Sequence, residues 1–248
     1  KPPRASKALK EHWDLAVMSK ELATINVTAD FPYALEEARL GNLYTEEAYA
    51  YFQRLQFKNL LSRFQVTAPA NQAETSFREV RGKEEAEKVL EAAVGAECVG
   101  ACIFRNTDEI LPLFADQAEI GGIGLCCSEK DVCCIRTGDG ITARWLLSKL
   151  EEVAKAAGRF VMFDLKQALG DLRLTFAENY FDATVAAYLL NPLKNNYSYE
   201  DVAREQLDII IEEKAEPYIR VCYEAYTAYA ASGILWKKLK GCGMDGLF

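Results

Sequence analysis

The 248-residue chain predicts an α/β fold, a mixed β-sheet flanked by helices and preceded by a small helical segment. Three observations carry this expectation. Residues 1–65 show helical spacing only. After residue 76, short apolar runs alternate with stretches whose apolar residues recur every three or four positions. Two of those runs, "EIGGIGLCC" and "DVCCIRT", flank the polar "SEKD" and read as a hairpin, while later runs are each followed by a helix, so one sheet mixes both kinds of pairing. Half of the residues are apolar, which is ample for a buried core.

The elements follow in order. Residues 5–25 read as a helix with Leu9, His12, Trp13, Ala16 and Val17 on one side. Turn chemistry surrounds Asp30 and Pro32. Thr45 caps a second long helix through "TEEAYAYFQRLQFKNLLSRF", where Ala48, Phe52, Leu55 and Leu60 recur at near-helical spacing. Residues 65–76 are polar, contain Pro69 and lack periodicity, which marks a linker; the expected division is 1–65, a linker over 66–76, a body over 77–240 and a connecting tail over 241–248. In the body, "FREV" is a strand and "GKEEAEKVLEAAVGA" a helix ended by Gly95. "ECVGACIF", "EILPLF" and the two hairpin runs are strands. "TARWLLSKLEEVAKAAG" is a helix with Gly158 at its end, "RFVMFD" a strand and "LKQALGDL" a short helix. "FDATVAAYLLN" is a helix capped by Asp182, "YEDVAREQL" another, and a long final helix runs from near Pro217 to just before Gly241.

The net charge of −8 is unevenly spread. Residues 1–65 hold nine Lys/Arg against eight Asp/Glu, and the remainder twenty against twenty-nine. An acidic body argues against strong autonomous nucleic-acid binding, which needs a basic face. No run of eighteen apolar residues exists, so no membrane-spanning helix is expected. No secretory signal is visible. The chain starts at Lys1 and stops in "GCGMDGLF", which reads as a segment of a longer protein. No phosphate-binding Gly-rich loop occurs. The single histidine, His12, leaves no partner for a Ser-His or Cys-His nucleophile in the body.

Eight cysteines invite a zinc reading, above all in "CCSEKDVCC". The spacing opposes it. A zinc knuckle needs Cys-x-x-Cys on a tight turn, whereas adjacent cysteines on a strand point to opposite faces. Cys98, Cys102, Cys126, Cys127, Cys133, Cys134, Cys222 and Cys242 read as small apolar side chains of a reduced protein.

The order strand, strand, hairpin, helix, "MFDLK", then "FDATVAAYLLNPLKNNYSYEDVAREQL", resembles the 3′–5′ exonuclease domain of family A DNA polymerases, the DNA polymerase I type. The Phe-Asp, the helix ending in Tyr-Leu-Leu-x-Pro and the Asp-Val-Ala segment carry the likeness. "SKELATI" and "FKNLLSRF" resemble the last helices of the preceding 5′-nuclease domain, and "GMDGLF" the passage toward the polymerase domain. The resemblance implies a ribonuclease H-like 3′–5′ exonuclease fold and a part in bacterial DNA replication and repair. It also implies DNA contact through the parent polymerase, intramolecular contacts with polymerase and 5′-nuclease domains, and a cytoplasmic location.

Active members of the resembled family use two divalent metals, which stand about 4 Å apart to steady the attacking water and the leaving oxygen. The resemblance implies that their ligands come from an Asp-x-Glu on the first strand, an Asp in a second motif and a Tyr-x-x-x-Asp on the last helix. Here no Asp-x-Glu occurs, and Asp108 and Glu109 are merely adjacent. In "DLKQA", Asp164 takes the place of the family's Asn, Lys166 keeps the Lys, Gln167 replaces the Tyr and Ala168 stands where the metal-binding Asp belongs. Tyr223 matches the tyrosine of the third motif and Thr227 its Asp; Glu224 is the nearby acid. The expectation is a vestigial site without metal, with Asp164 as a relic, a helix cap or an ion-pair partner of Lys166, in a domain that serves the polymerase as a scaffold. Two alternatives stand beside it. One is an active Mg²⁺- or Mn²⁺-dependent exonuclease with rearranged ligands such as Asp164, Asp171 and Glu224. The other is a module guiding single-stranded DNA along Lys/Arg and the tyrosines Tyr218, Tyr223, Tyr226 and Tyr229.

Overall fold

The computed structural model describes residues 3–30, 39–55, 57, 60, 64, 72–106, 118–211 and 215–248. The chain forms two compact units, residues 1–65 and 66–248. Asp108, Glu109, the expected strand "EILPLF", Pro32, Pro69 and much of "FKNLLSRF" lie outside the described residues.

In the first unit, the single helix expected over residues 5–25 is two, α1 (Pro3–Glu11) and α2 (Trp13–Ala23). The backbone leaves helical angles at His12, with φ −128° and ψ 38°. The His12 N–H still donates to Ala8 O at 2.9 Å, so the break is a kink and not a stop. Helix α3 (Glu46–Arg54) starts as read, with the Ala48 N–H donating to Thr45 Oγ1 at 3.2 Å. Tyr44, Tyr49 and Phe52 set their rings against buried Phe64 at 5.1–5.6 Å. No residue of α2 is buried.

The second unit is built on a six-stranded sheet. A 3-10 turn (Gln72–Ser76) leads into β1 (Phe77–Val80), then α4 (Lys83–Ala93) and β2 (Val99–Arg105). Strands β3 (Ile120–Ser128) and β4 (Asp131–Arg136) form the expected hairpin. Helix α5 (Ala143–Ala156) follows, with Thr142 accepting from the Trp145 N–H. Then come β5 (Phe160–Met162), α6 (Leu165–Ala168), β6 (Tyr180–Asp182), α7 (Ala183–Leu190), α8 (Tyr199–Leu207) and α9 (Pro217–Gly241). The strand order is β1-β4-β3-β2-β5-β6; β3 is antiparallel to β2 and β4, and the remaining pairs are parallel. Strand β6 is a departure from the sequence reading, which gave residues 181–182 to the following helix. Tyr180–Asp182 pairs with β5, and α7 begins only at Ala183.

Alternation along the strands gives the sheet two covered faces. On one, Val99, Ala101, Ile123, Leu125 and Cys133 pack with α4 and α5. On the other, Cys102, Cys126, Val132 and Cys134 pack with Val221, Cys222 and Ala225 of α9. Val161 and Phe181 continue that second face beneath α7, α8 and the later turns of α9. Adjacent Cys133 and Cys134 thus point to opposite faces, and every cysteine carries a free thiol. Among the described residues, no helix is long and apolar enough to cross a membrane.

Candidate active site

Two carboxylates spaced i, i+2 on β2 would share one face of the strand, because successive side chains alternate. The face that meets α9 carries Gly100, Cys102 and Phe104, paired across the ladder with Cys126, Gly124 and Gly122. No acid stands there. A Cβ placed on Gly100 would lie 2.2 Å from Ala225 O and 2.5 Å from Tyr229 N. A Cβ on Gly124 would lie 2.7 Å from Cys102 Sγ and 2.8 Å from Val221 O. The Cys102 thiol donates to Val221 O at 3.5 Å. Strand and helix therefore meet backbone to backbone, and even a methyl group at Gly100 would have to displace α9.

The second position is local in its geometry. Asp164 sits in the left-handed region, with φ 47° and ψ 58°, and its Oδ1 accepts from the Gln167 N–H at 3.3 Å. Its own N–H donates to Thr184 Oγ1 at 3.0 Å. Asp164 is a cap of α6, and among the described residues it makes no ion pair with Lys166. Ala168 is buried in the core beneath α4 and α5, on the opposite face of the sheet from α9. The matched positions of the second and third motifs therefore do not face each other.

Asp182 does more than the single cap read from the sequence. Its two oxygens collect the N–H groups of Leu165, Thr184 and Val185, at 2.9–3.1 Å. It ties the starts of α6 and α7 together. Burial nonetheless raises its pKa against the pull of those three donors.

On α9, Tyr223 is buried, and its hydroxyl donates to Glu74 of the 3-10 turn. Phe77 meets the Tyr223 ring edge-on, with centroids 4.9 Å apart. Tyr218, Tyr226 and Tyr229 are partly buried and pack against the cysteine-lined core. Thr227 is fully buried, and among the described residues its Oγ1 has no hydrogen-bond partner. The alternative ligand set is also dispersed. Asp171 is held bidentately by Arg105 at 2.6 Å, Asp164 caps α6, and Glu224 sits on α9. Among the described residues, no group of three or more His, Cys, Asp or Glu is placed to hold a metal ion. The sequence reading missed the Glu74–Tyr223 contact, which spans 149 positions and has no local signal.

No family model and no curated protein sequence matches the chain. Solved structures do. The chain is similar to Brucella melitensis NrnC bound to pGG, at 12% identity and a TM-score of 0.52, over 69% of this chain and 85% of that one. It is also similar to the catalytic core of RRP6 from Trypanosoma brucei, at 11% identity and a TM-score of 0.52, over 68% of this chain and 49% of that one. The POL domain of Pol1 from M. smegmatis matches at 16% identity and a TM-score of 0.48, over 68% of this chain and 29% of that one. The mixed six-stranded sheet flanked by helices is a ribonuclease H-like, 3′–5′ exonuclease-type fold, which the chain shares with NrnC and the RRP6 core.

Proposed function

We propose that the chain is a non-catalytic 3′–5′ exonuclease-like domain that serves as a structural scaffold within a bacterial family A DNA polymerase. One observation carries the reading. On the face of β2 where paired carboxylates would have to stand, Gly100 lies against the backbone of α9, within 2.2 Å of Ala225 O once a Cβ is added. Two hard cations need several carboxylate oxygens and room for water between them. The substitutions at Ala168 and Thr227 fit the same picture, since neither can supply a carboxylate. On this reading the domain uses no metal cofactor. It meets DNA only through its parent polymerase, contacts the polymerase and 5′-nuclease domains, and resides in the bacterial cytoplasm.

A digestion assay tests this. The purified chain is incubated with 5′-labelled single-stranded DNA and Mg²⁺ or Mn²⁺, beside an Asp164→Ala control. The expected outcome is no shortening above the control. A ladder of shortened products that vanishes with Asp164→Ala would instead establish an exonuclease with rearranged ligands.

A further inference from the structure

The segment Cys242–Phe248 folds back on the sheet. Gly243, at φ 67°, closes α9, with its own N–H donating to Lys240 O at 3.1 Å and the Met244 N–H to Leu239 O at 2.9 Å. This pair of bonds is the glycine-based helix end that reverses a chain. The Leu247 and Phe248 N–H groups then both donate to Met244 O, at 3.1 and 3.2 Å. That second turn carries the Phe248 ring back to within 4.7 Å of the Phe181 ring and 6.1 Å of the Trp236 ring, centroid to centroid. Trp236 meets Phe181 edge-on at 6.5 Å, and the Arg159 guanidinium stands over the Phe181 ring at 5.6 Å. Phe181 is the middle residue of β6, the edge strand. The ladder from β6 to β5 is three residue pairs long, and among the described residues no strand lies beyond it. So short an edge opens readily unless side chains hold it. Phe181 is nonetheless only 3% exposed. The next residue, Asp182, holds the N–H groups of Leu165, Thr184 and Val185 at 2.9–3.1 Å, and Thr184 Oγ1 accepts from the Asp164 N–H.

We infer that Cys242–Phe248 is a strap that locks the β6 corner of the sheet. With Phe248 seated on Phe181 and Trp236, β6 stays in the sheet and Asp182 keeps its hold on the starts of α6 and α7. With the strap released, β6, Asp182 and both helix starts loosen as one unit. The parts are contiguous, which is what such coupling needs. The Phe248 ring touches the edge strand itself, and the residue it clamps is bonded in sequence to the carboxylate that gathers the three N–H groups. Aromatic pairs of this kind add to the area they bury, so removing one ring is felt by the strand beneath it. Whatever displaces the strap therefore loosens the corner that carries Asp164. Because the strap needs only the packing of Phe248 on β6, it stands whether or not the domain cuts DNA.

The test is amide hydrogen exchange on the full chain, followed by NMR and corrected for intrinsic rates. The reporters are the Leu165, Thr184 and Val185 amides, which Asp182 holds, and the reference is the β3–β4 hairpin. In Phe248→Ala the three reporters should exchange about tenfold faster, together, while the hairpin keeps its wild-type rates. Leu247→Ala, at a neighbouring side chain that is 71% exposed, should leave all of them unchanged. Should Phe248→Ala fail to fold, Gly243→Ala carries the test. A Cβ at Gly243 would meet nothing within 4 Å, so this variant acts only by straining the left-handed turn, and it should speed the same three amides by a smaller factor. Reporter amides that exchange at wild-type rates in Phe248→Ala would overturn the inference. So would an acceleration shared equally by the β3–β4 hairpin, which would make Phe248 a contributor to global stability and not a local strap.

Discussion

The two faces of the sheet are packed by different means. Toward α4 and α5, strand residues such as Val99, Ile123, Leu125 and Ile135 present branched side chains that interlock with Leu146 and Leu150. Toward α9, the same strands present Gly100, Cys102, Gly124, Cys126 and Cys134. The first face keeps its helices at side-chain distance. The second lets a helix backbone settle onto the strand backbone, with the Cys102 thiol reaching Val221 O. The difference bears on chemistry. Two divalent cations bound at the second face would need open space there for carboxylate oxygens and water. Small side chains alone would leave a hollow there; together with a seated helix they make a closed interface.

The strongest way to break this comparison is to put one acid back. Gly100→Asp should cost more than about 4 kcal/mol in urea unfolding, because it combines a backbone collision with a buried, unpaired charge. Leu125→Ala, one strand away on the branched face, should cost about 2–5 kcal/mol, the usual range for truncating a buried leucine. If Gly100→Asp proves milder than Leu125→Ala, then α9 is not seated on β2 as described.

A smaller effect sharpens the same contrast through the thiols. Cys242 is exposed, while burial holds the other thiols above their ordinary pKa, Cys127 at about 11 and Cys133 and Cys134 at about 12. At pH 8 a thiol with a pKa of about 11 is ionised to only about one part in a thousand. A thiol reagent should therefore label Cys242 promptly and the remaining cysteines only after denaturant is added. Rapid labelling of Cys102 or Cys126 in the native chain would mean that the interface beneath α9 is open.

Much of this architecture is legible in the residues. Thr142 and Asp182 announce their helices, as does Pro217 at the start of α9. The hairpin follows from two apolar runs around "SEKD". Strand β6 was not legible, because three residues are too few to show alternation and a helix cap follows at once. The parallel pairing of β1 with β4 depends on distant chain segments and leaves no local trace. The losses at Ala168 and Thr227 could be read from motif spacing. That Ala168 lies across the sheet from Thr227, and that glycines at 100 and 124 close the face between β2 and α9, could not. Close approach of two backbones is a property of the pair, and "GACIF" looks like any other strand. Likewise, Asp171 reads as a spare carboxylate until Arg105 is seen holding it.

The most direct test of the closed face is Mn²⁺ titrated into the isotopically labelled chain, with amide signals followed for paramagnetic broadening. The packing of α9 on β2 predicts diffuse, non-saturating effects on exposed acids and no preferential loss of signal around Gly100, Cys102, Glu224 or Thr227. Saturable broadening centred on those residues would contradict it, since a bound metal there requires the space that Gly100 and α9 together fill.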